Sequence, residues 1–177
     1  MEKYKEYQAA KKITNPRENI LVFFGVGEDV LHFNSTRVVK LDPTNPFDVS
    51  KAEVVARKQI HELIVFLKEN SNAFTESALI SVAVNIGVRE SRKLKGVHIL
   101  TGDELINCTC FEDSIALGNY DIDIHSPTGT GTSHRYFKDG EFYTIPYRSL
   151  LPKEYDNLLV AGRSISATHE AQASVRI

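Results

Sequence analysis

The stretch that decides the fold lies at the end of the chain and reads LLVAGRSISATHEAQASVRI, from Leu158 to Ile177. Its first three residues predict a short buried strand, which ends in the small residues Ala161 and Gly162. The residues from His169 onward are typical of a helix. Such a junction presents free backbone N–H groups beside the positive end of a helix dipole. We therefore expect it to hold an anionic group or an electron-rich ring, with an ordinary Ser/Thr-capped turn as the simpler alternative.

This junction also concentrates side chains that can bind a ligand. Charged, hydroxyl and imidazole groups crowd it: Arg163, Ser164, Ser166, Thr168 and His169. The chain stops at Ile177 inside the predicted helix, without a cap, which favours a fragment of a longer protein, with a fraying tail as the simpler alternative.

Upstream, the clearest predicted element is a helix from Ser50 to Asn70. Ser50 and Glu53 form a capping box, and apolar residues follow at spacings of three and four. Alternation, turn residues and capping residues predict further elements: strands at Leu79–Val88 and Ser114–His125, a second capping box at Thr101–Glu104, and a hairpin around Asp139-Gly140 within Tyr136–Ile145. Together they predict an α+β fold, with a mixed, mainly antiparallel sheet and one long covering helix.

Length and charge limit the classes of function. The chain has 177 residues, enough for one domain or two small ones, and a formal net charge of -2. We therefore expect no binding to nucleic acid and no membrane span, since no apolar run approaches ~20 residues. The charged start is not a signal peptide, and two cysteines, Cys108 and Cys110, slightly favour a reducing compartment such as the cytoplasm. The localisation stays unknown, because a signal peptide removed upstream leaves an exported parent open.

Gly25-Val26-Gly27 follows an apolar run, as in a dinucleotide-binding loop, but Val30 occupies the third glycine position. The residues after it look extended, whereas pyrophosphate binding needs the N-terminus of a helix. We therefore predict a turn between two strands.

Asp121, Asp123 and His125 fall on one face of a predicted strand. Two carboxylates and an imidazole are typical of divalent-metal or acid–base sites. Because the three side chains span ~13 Å of strand, we expect a solvated face for the aspartates and no metal site. His125 stays a candidate, since it ends the strand beside Ser126-Pro127.

Arginines follow two other predicted strands. Arg89, Glu90 and Arg92 form a charged turn, and Arg148 follows Ile145-Pro146-Tyr147. Arginines at strand ends are suited to clamp a carboxylate or phosphate, although charged turns are usually only solvated.

Two stretches carry a resemblance to a known family: IGVRESR at 86–92 and LLVAGRSISATHE at 158–170. With further similar stretches in the same order from Phe33 onward, they resemble a family of FAD-dependent oxidoreductases, whose FAD lies on a Rossmann-type domain. The resemblance implies hydride transfer between an unknown organic small molecule and FAD. The N-terminal G-x-G-x-x-G segment of such proteins is missing here, so we expect the chain alone to be inactive and unable to hold FAD.

The resemblance also implies roles for individual residues. Those expected to contact FAD are Gly162, Arg163, Ser164, Ser166, Thr168, His169 and Glu170. Those expected to face the substrate are Arg89, Glu90, His125 and Arg148; His125, His169 and Arg148 are the candidate catalytic residues. Ser149 and Ser164 stand where cysteine is often expected, which argues against a thiol role.

The implied organisation has three parts: a polar arm at 1–18, a substrate-side α+β domain at 19–152, and a stub of the Rossmann-type FAD domain at 153–177. The missing FAD domain is the expected partner, and a homo-oligomer through exposed apolar surface stays open. Two alternative functions stay open as well: a non-catalytic ligand-binding or interaction domain and, more weakly, a metal-dependent hydrolase using Asp121, Asp123 and His125.

Overall fold

The structure is a computed structural model that describes residues 2–125 and 132–176. Within this part of the chain, four α-helices accompany six short strands, and all strand pairs are antiparallel. The predicted α+β class is confirmed. The chain separates into two compact units, one within 2–87 and one within 88–176. The predicted three-part domain division stays a prediction, since compactness alone does not test it.

The first unit contains two helices and one hairpin. Its elements are α1 (Glu2–Ala9), β1 (Val22–Gly27), β2 (Val30–Phe33) and α2 (Pro46–Asn70). Tyr4 and Tyr7 of α1 pack edge-on against Phe66 of α2, with ring centroids 5.4 and 5.0 Å apart. The polar start of the chain is thus anchored by aromatic burial.

Helix α2 begins earlier than the sequence predicted. Asn45 is its N-cap, because the Asn45 side chain accepts a hydrogen bond of 3.0 Å from the N–H of Phe47. Pro46 then takes the first helical position, where a missing N–H costs nothing. The predicted capping box at Ser50 is therefore wrong: the Ser50 hydroxyl donates to the Pro46 carbonyl inside the helix.

Strands β1 and β2 form an antiparallel hairpin in which Gly27 pairs with Val30. The turn between them places Asp29 in the left-handed region, at φ 59°. The predicted turn between two strands is present at Glu28 and Asp29, whereas Gly25-Val26-Gly27 forms the end of β1. No helix N-terminus follows it, so this turn lacks the feature that binds a pyrophosphate.

The second unit contains two short helices and two strand pairs. Its elements are α3 (Gly102–Ile106), β3 (Ser114–Gly118), β4 (Ile122–His125), β5 (Thr132–Arg135), β6 (Tyr143–Pro146) and α4 (His169–Val175). Strand β3 pairs with β6, and β4 with β5. Leu100, Leu105, Tyr143 and Ala171 lie at the centre of the core. The capping box predicted at Thr101–Glu104 is confirmed at the start of α3.

Two predicted strand assignments are wrong. Leu79–Val88 forms no strand, and Ile80 and Val84 are 76% and 85% exposed. Leu158–Val160 is neither strand nor buried, with Leu158 and Leu159 about half exposed. An alternating or apolar segment forms a strand only where another strand supplies hydrogen-bond partners. Within the described residues, neither segment has a neighbouring strand with which to form a ladder of backbone hydrogen bonds.

The predicted hairpin around Asp139-Gly140 is half right. The turn forms, with Gly140 at φ 83° and the Glu141 N–H bonded to the Lys138 carbonyl at 3.0 Å. The flanking residues do not pair with each other, because β6 pairs with β3 instead. The predicted strand Ser114–His125 is likewise divided into β3 and β4, which belong to different sheets.

None of the helices in the described residues combines the length and apolarity that crossing a membrane requires.

Gly118 is the position at which the β3–β6 pair tolerates no side chain. A Cβ there would lie 2.5 Å from the ring of Tyr143, its partner across the strands. That ring is buried and hydrogen-bonded to Ser174 at 2.7 Å, so it cannot move aside cheaply. We expect Gly118→Ala to lower the free energy of unfolding by roughly 1–3 kcal/mol, measured by urea denaturation.

Gly87→Ala is the matched control, since a Cβ at Gly87 would meet no atom within 4 Å. We expect a change within about 0.5 kcal/mol for it. Equal stability of Gly118→Ala and the unsubstituted chain would show that the Tyr143 ring is not packed on β3 as described.

Candidate functional site

Two segments of the second unit run side by side and carry the predicted site residues at their ends. The Leu100 N–H donates to the Ser166 carbonyl at 3.0 Å, and the Thr168 N–H donates to the Leu100 carbonyl at 2.8 Å. This tie joins 94–100 to 164–168. It anchors the charged turn that precedes the first segment and the helix α4 that follows the second.

Gly96 allows the close approach of these segments. Its N–H donates to the Ser166 hydroxyl at 3.0 Å, and a Cβ on Gly96 would lie 2.8 Å from the Ser166 Cβ. Ser166 is fully buried. Its hydroxyl therefore serves the packing of the two segments.

The tie brings Glu90 against His169. The Nδ1 atom of His169 shares a short hydrogen bond with one oxygen of Glu90, and Lys93 lies 2.5 Å from the other oxygen. Both oxygens of the carboxylate thus have cationic or imidazole partners. We name these three residues the Glu90 cluster.

Opposing effects act on the ionisation of Glu90. Burial favours the neutral acid and would raise the pKa, but the hydrogen bonds and positive charges of Lys93 and His169 outweigh it, so the pKa of Glu90 is lowered. Glu90 is therefore a carboxylate at neutral pH.

A second charged group lies beside the first. Arg89 and Arg176 each approach the same oxygen of Asp123 at 3.5 Å, and the guanidinium of Arg176 also donates to the Asp123 carbonyl at 3.0 Å. Burial and the neighbouring charge of Arg89 lower the pKa of Arg176, while Asp123 opposes that shift. The expectation of a solvated Asp123 is wrong, since the residue is 8% exposed. The sequence did not reveal this burial because the arginine partners of Asp123 come from distant parts of the chain.

The turn at 161–164 differs from its surroundings in being open. Ala161, Gly162 and Arg163 are exposed, and Gly162 has φ 69°, which favours glycine. A Cβ at Gly162 would meet no atom within 4 Å. Glycine is therefore needed here for its backbone conformation, and the space beside it is available to a ligand.

The remaining predicted cofactor residues have structural contacts. The Thr168 hydroxyl accepts from the Ala171 N–H as the N-cap of α4, and the Ser164 carbonyl accepts from the Leu94 N–H at 2.9 Å. Glu170 is exposed, and hydrogen bonds from its own N–H and from the Thr168 hydroxyl lower its pKa.

Arg148 lies elsewhere in the same unit. Its Nε atom is 3.4 Å from Asp113, and its guanidinium lies over the ring of Phe111 at 5.6 Å. No recorded contact of Arg148 involves Arg89, Glu90 or His169 within the described residues. The side chain of His125 lies outside the described residues, so its predicted role stays a prediction.

The structure describes no group of three or more metal-ligating side chains in the part of the chain it covers. Sequence reasoning selected Arg89, Glu90 and His169 but missed Lys93 and Arg176 as their companions. The pairing of Glu90 with Lys93 has a local signal in the sequence, because the two residues are three positions apart. The pairing of Arg176 with Asp123 has no such local signal.

The Glu90 cluster makes the free energy of unfolding depend on pH in the acidic range. A carboxyl group whose pKa is lower in the folded state than in the unfolded state stabilises the protein at pH values above its unfolded-state pKa. This stabilisation is lost as the pH falls through the folded-state pKa. We expect Glu90→Gln to reduce stability at neutral pH and to lose less further stability than the parent between about pH 5 and pH 2, as measured by urea unfolding.

Glu154→Gln is the control, since Glu154 is exposed and has no recorded bond within the described residues. It should leave the acid limb of the stability profile unchanged. An identical acid limb in Glu90→Gln and the parent would contradict the described pairing of Glu90.

The family of FAD dependent oxidoreductases matches residues 2–177, which extends the resemblance seen from Phe33 onward to the start of the chain. No curated protein and no solved structure matches the chain. The chain belongs to the FAD dependent oxidoreductase family, whose function is flavin-linked redox chemistry.

Proposed function

We propose that this chain supplies the substrate side of an FAD-dependent oxidoreductase that transfers hydride between an organic small molecule and flavin. The observation that carries the proposal is the hydrogen bond between Glu90 and His169. These residues are 79 positions apart, and each belongs to one of the two stretches that resemble the flavoprotein family most closely. A carboxylate paired with an imidazole is a common acid–base arrangement.

The open turn at Gly162 supports contact with the flavin ring. A flavin ring is well held by a flat approach to backbone, a cation near its polar edge and some apolar surface. The turn offers the exposed backbone of Gly162, the guanidinium of Arg163, and the half-exposed side chains of Leu158 and Leu159. Arg163 makes no recorded hydrogen bond or ion pair with the described residues, so its charge is available to a ligand.

The pyrophosphate end of FAD lacks a comparable site in the described residues. The glycine pair at Gly25 and Gly27 lies in the hairpin of β1 and β2, without the helix that a pyrophosphate needs. We therefore propose that the chain acts together with a nucleotide-binding segment outside it, as part of a longer parent protein.

FAD, when bound, supplies the hydride acceptor or donor. In the oxidative direction a substrate C–H bond loses hydride and the neighbouring O–H or N–H loses a proton. His169 is suited to take that proton, because its side chain is 42% exposed and its Nδ1 is already bonded to Glu90, which leaves Nε2 as the nitrogen that does not face that carboxylate. The reverse direction returns the proton from the same atom.

Arg89 is the proposed substrate-orienting residue. Its side chain is 42% exposed, and its contact with Asp123 holds it beside Glu90. A guanidinium in that position is suited to bind a carboxylate or another oxygen-rich group of the substrate. Arg148 stays a prediction, since its contacts among the described residues are with Asp113 and Phe111. His125 stays a prediction as well, since its side chain lies outside the described residues.

The proposed flavin contact of Arg163 has a measurable consequence that needs no substrate. A nearby cation stabilises the negative charge of reduced flavin. In the parent flavoprotein, we expect Arg163→Ala to lower the two-electron midpoint potential of FAD by roughly 20–40 mV, equivalent to about 1–2 kcal/mol, in a dithionite titration.

Lys153→Ala is the matched control, because Lys153 is an exposed cation ten residues from Arg163. It should leave the potential unchanged, and Arg163→Lys should restore most of it. Equal potentials in the parent and in Arg163→Ala would remove Arg163 from the flavin site.

The proposed dependence on an outside segment gives a simpler test. We expect this chain, purified alone, to be colourless and to leave the fluorescence polarisation of added FAD unchanged. A yellow preparation with bound FAD would show that the chain needs no further nucleotide-binding segment.

A further inference from the structure

The geometry assigns Glu90 a role beyond contact with substrate: we infer that it is a positioning residue that fixes which nitrogen of His169 carries the proton. The catalytic role of the selected tautomer rests on the proposed function. The contact that selects the tautomer lies within this chain and can be tested without flavin. The inference changes the expectation for Glu90, which the resemblance placed on the substrate.

The contact itself selects the tautomer. A carboxylate only accepts hydrogen bonds, so the nitrogen that faces it carries the proton. Glu90 faces Nδ1 of His169, and neutral His169 is therefore the Nδ1–H form. Its Nε2 atom then holds the lone pair and is the only ring atom that can accept a proton from a substrate.

Lys93 restrains the carboxylate that performs this selection. It lies 2.5 Å from the second oxygen of Glu90, and the Glu90 side chain is 24% exposed. A carboxylate held at both oxygens has little freedom to turn away from the imidazole. Lys93 also neutralises part of the negative charge of Glu90. The carboxylate that orients His169 is therefore part of an ion pair.

The same unit contains a natural contrast. His98 faces the carboxylate of Glu104 through Nε2, at 3.1 Å. The rule that the protonated nitrogen faces the carboxylate therefore predicts opposite tautomers for the two histidines. His98 is the Nε2–H form and His169 the Nδ1–H form.

Nitrogen-15 NMR of the histidine rings tests the assignment on this chain without flavin. Long-range proton–nitrogen spectra, recorded at a pH where the imidazoles are neutral, distinguish the two tautomers. The His169→Gln variant identifies the His169 signals. We expect the unsubstituted chain to show His169 mainly as Nδ1–H.

Removal of the carboxylate should reverse that preference, because imidazole in water favours the Nε2–H form. We expect Glu90→Ala to lower the ratio of Nδ1–H to Nε2–H at least about tenfold, as loss of a charge-assisted hydrogen bond implies. His98 should be unchanged, which also shows that the unit is folded. Glu90→Leu, which also has no hydrogen-bond acceptor, is the second variant if Glu90→Ala does not fold, and it should lower the ratio in the same direction.

An unchanged His169 ratio in a folded Glu90 variant would overturn the inference, as would a parent chain in which His169 is mainly Nε2–H. The proposed function fails separately, through the flavin potential of Arg163→Ala. If the His169 tautomer depends on Glu90 but Arg163→Ala leaves the flavin potential unchanged, the positioning role of Glu90 stands and Arg163 is removed from the flavin site.

Discussion

The hydrogen-bonded tie between 94–100 and 164–168 is the constraint on which the second unit and its site depend. Without it, the charged turn at Arg89 and Glu90 has no fixed relation to His169, because these residues are far apart in the sequence. Gly96 is essential to the tie, since any side chain there would meet Ser166. The burial of Ser166 and the contact of His169 with Glu90 are two results of one arrangement.

Charge in this unit is organised in pairs that share a carboxylate. Glu90 joins His169 and Lys93, and Asp123 joins Arg89 and Arg176. Partly buried charges are costly when alone, so each pair depends on its partners for its position. The consequence is a surface on which the imidazole of His169 and the guanidinium of Arg89 are held in place while each side chain stays 42% exposed.

Local signals in the sequence predicted several local features correctly, although the capping box at Ser50 was wrong. The capping box at Thr101, the turn at Gly140 and the turn after Gly27 were all recognisable, because each depends on a few neighbouring residues. Strands such as Leu79–Val88 were predicted wrongly, since a strand needs a partner that alternation does not reveal. The sequence and the resemblance together singled out Glu90 and His169, but not their contact, which only the fold creates.

The central claim is that His169 and the Gly162 turn face the same flavin ring. A crystal structure of the parent protein with FAD bound tests it most directly, through the distance between the His169 Nε2 atom and the flavin ring. Hydride transfer over ~3–3.5 Å and proton transfer over ~3 Å together predict a separation within about 7 Å. A flavin bound far from His169, with the Gly162 turn left in solvent, would contradict the account.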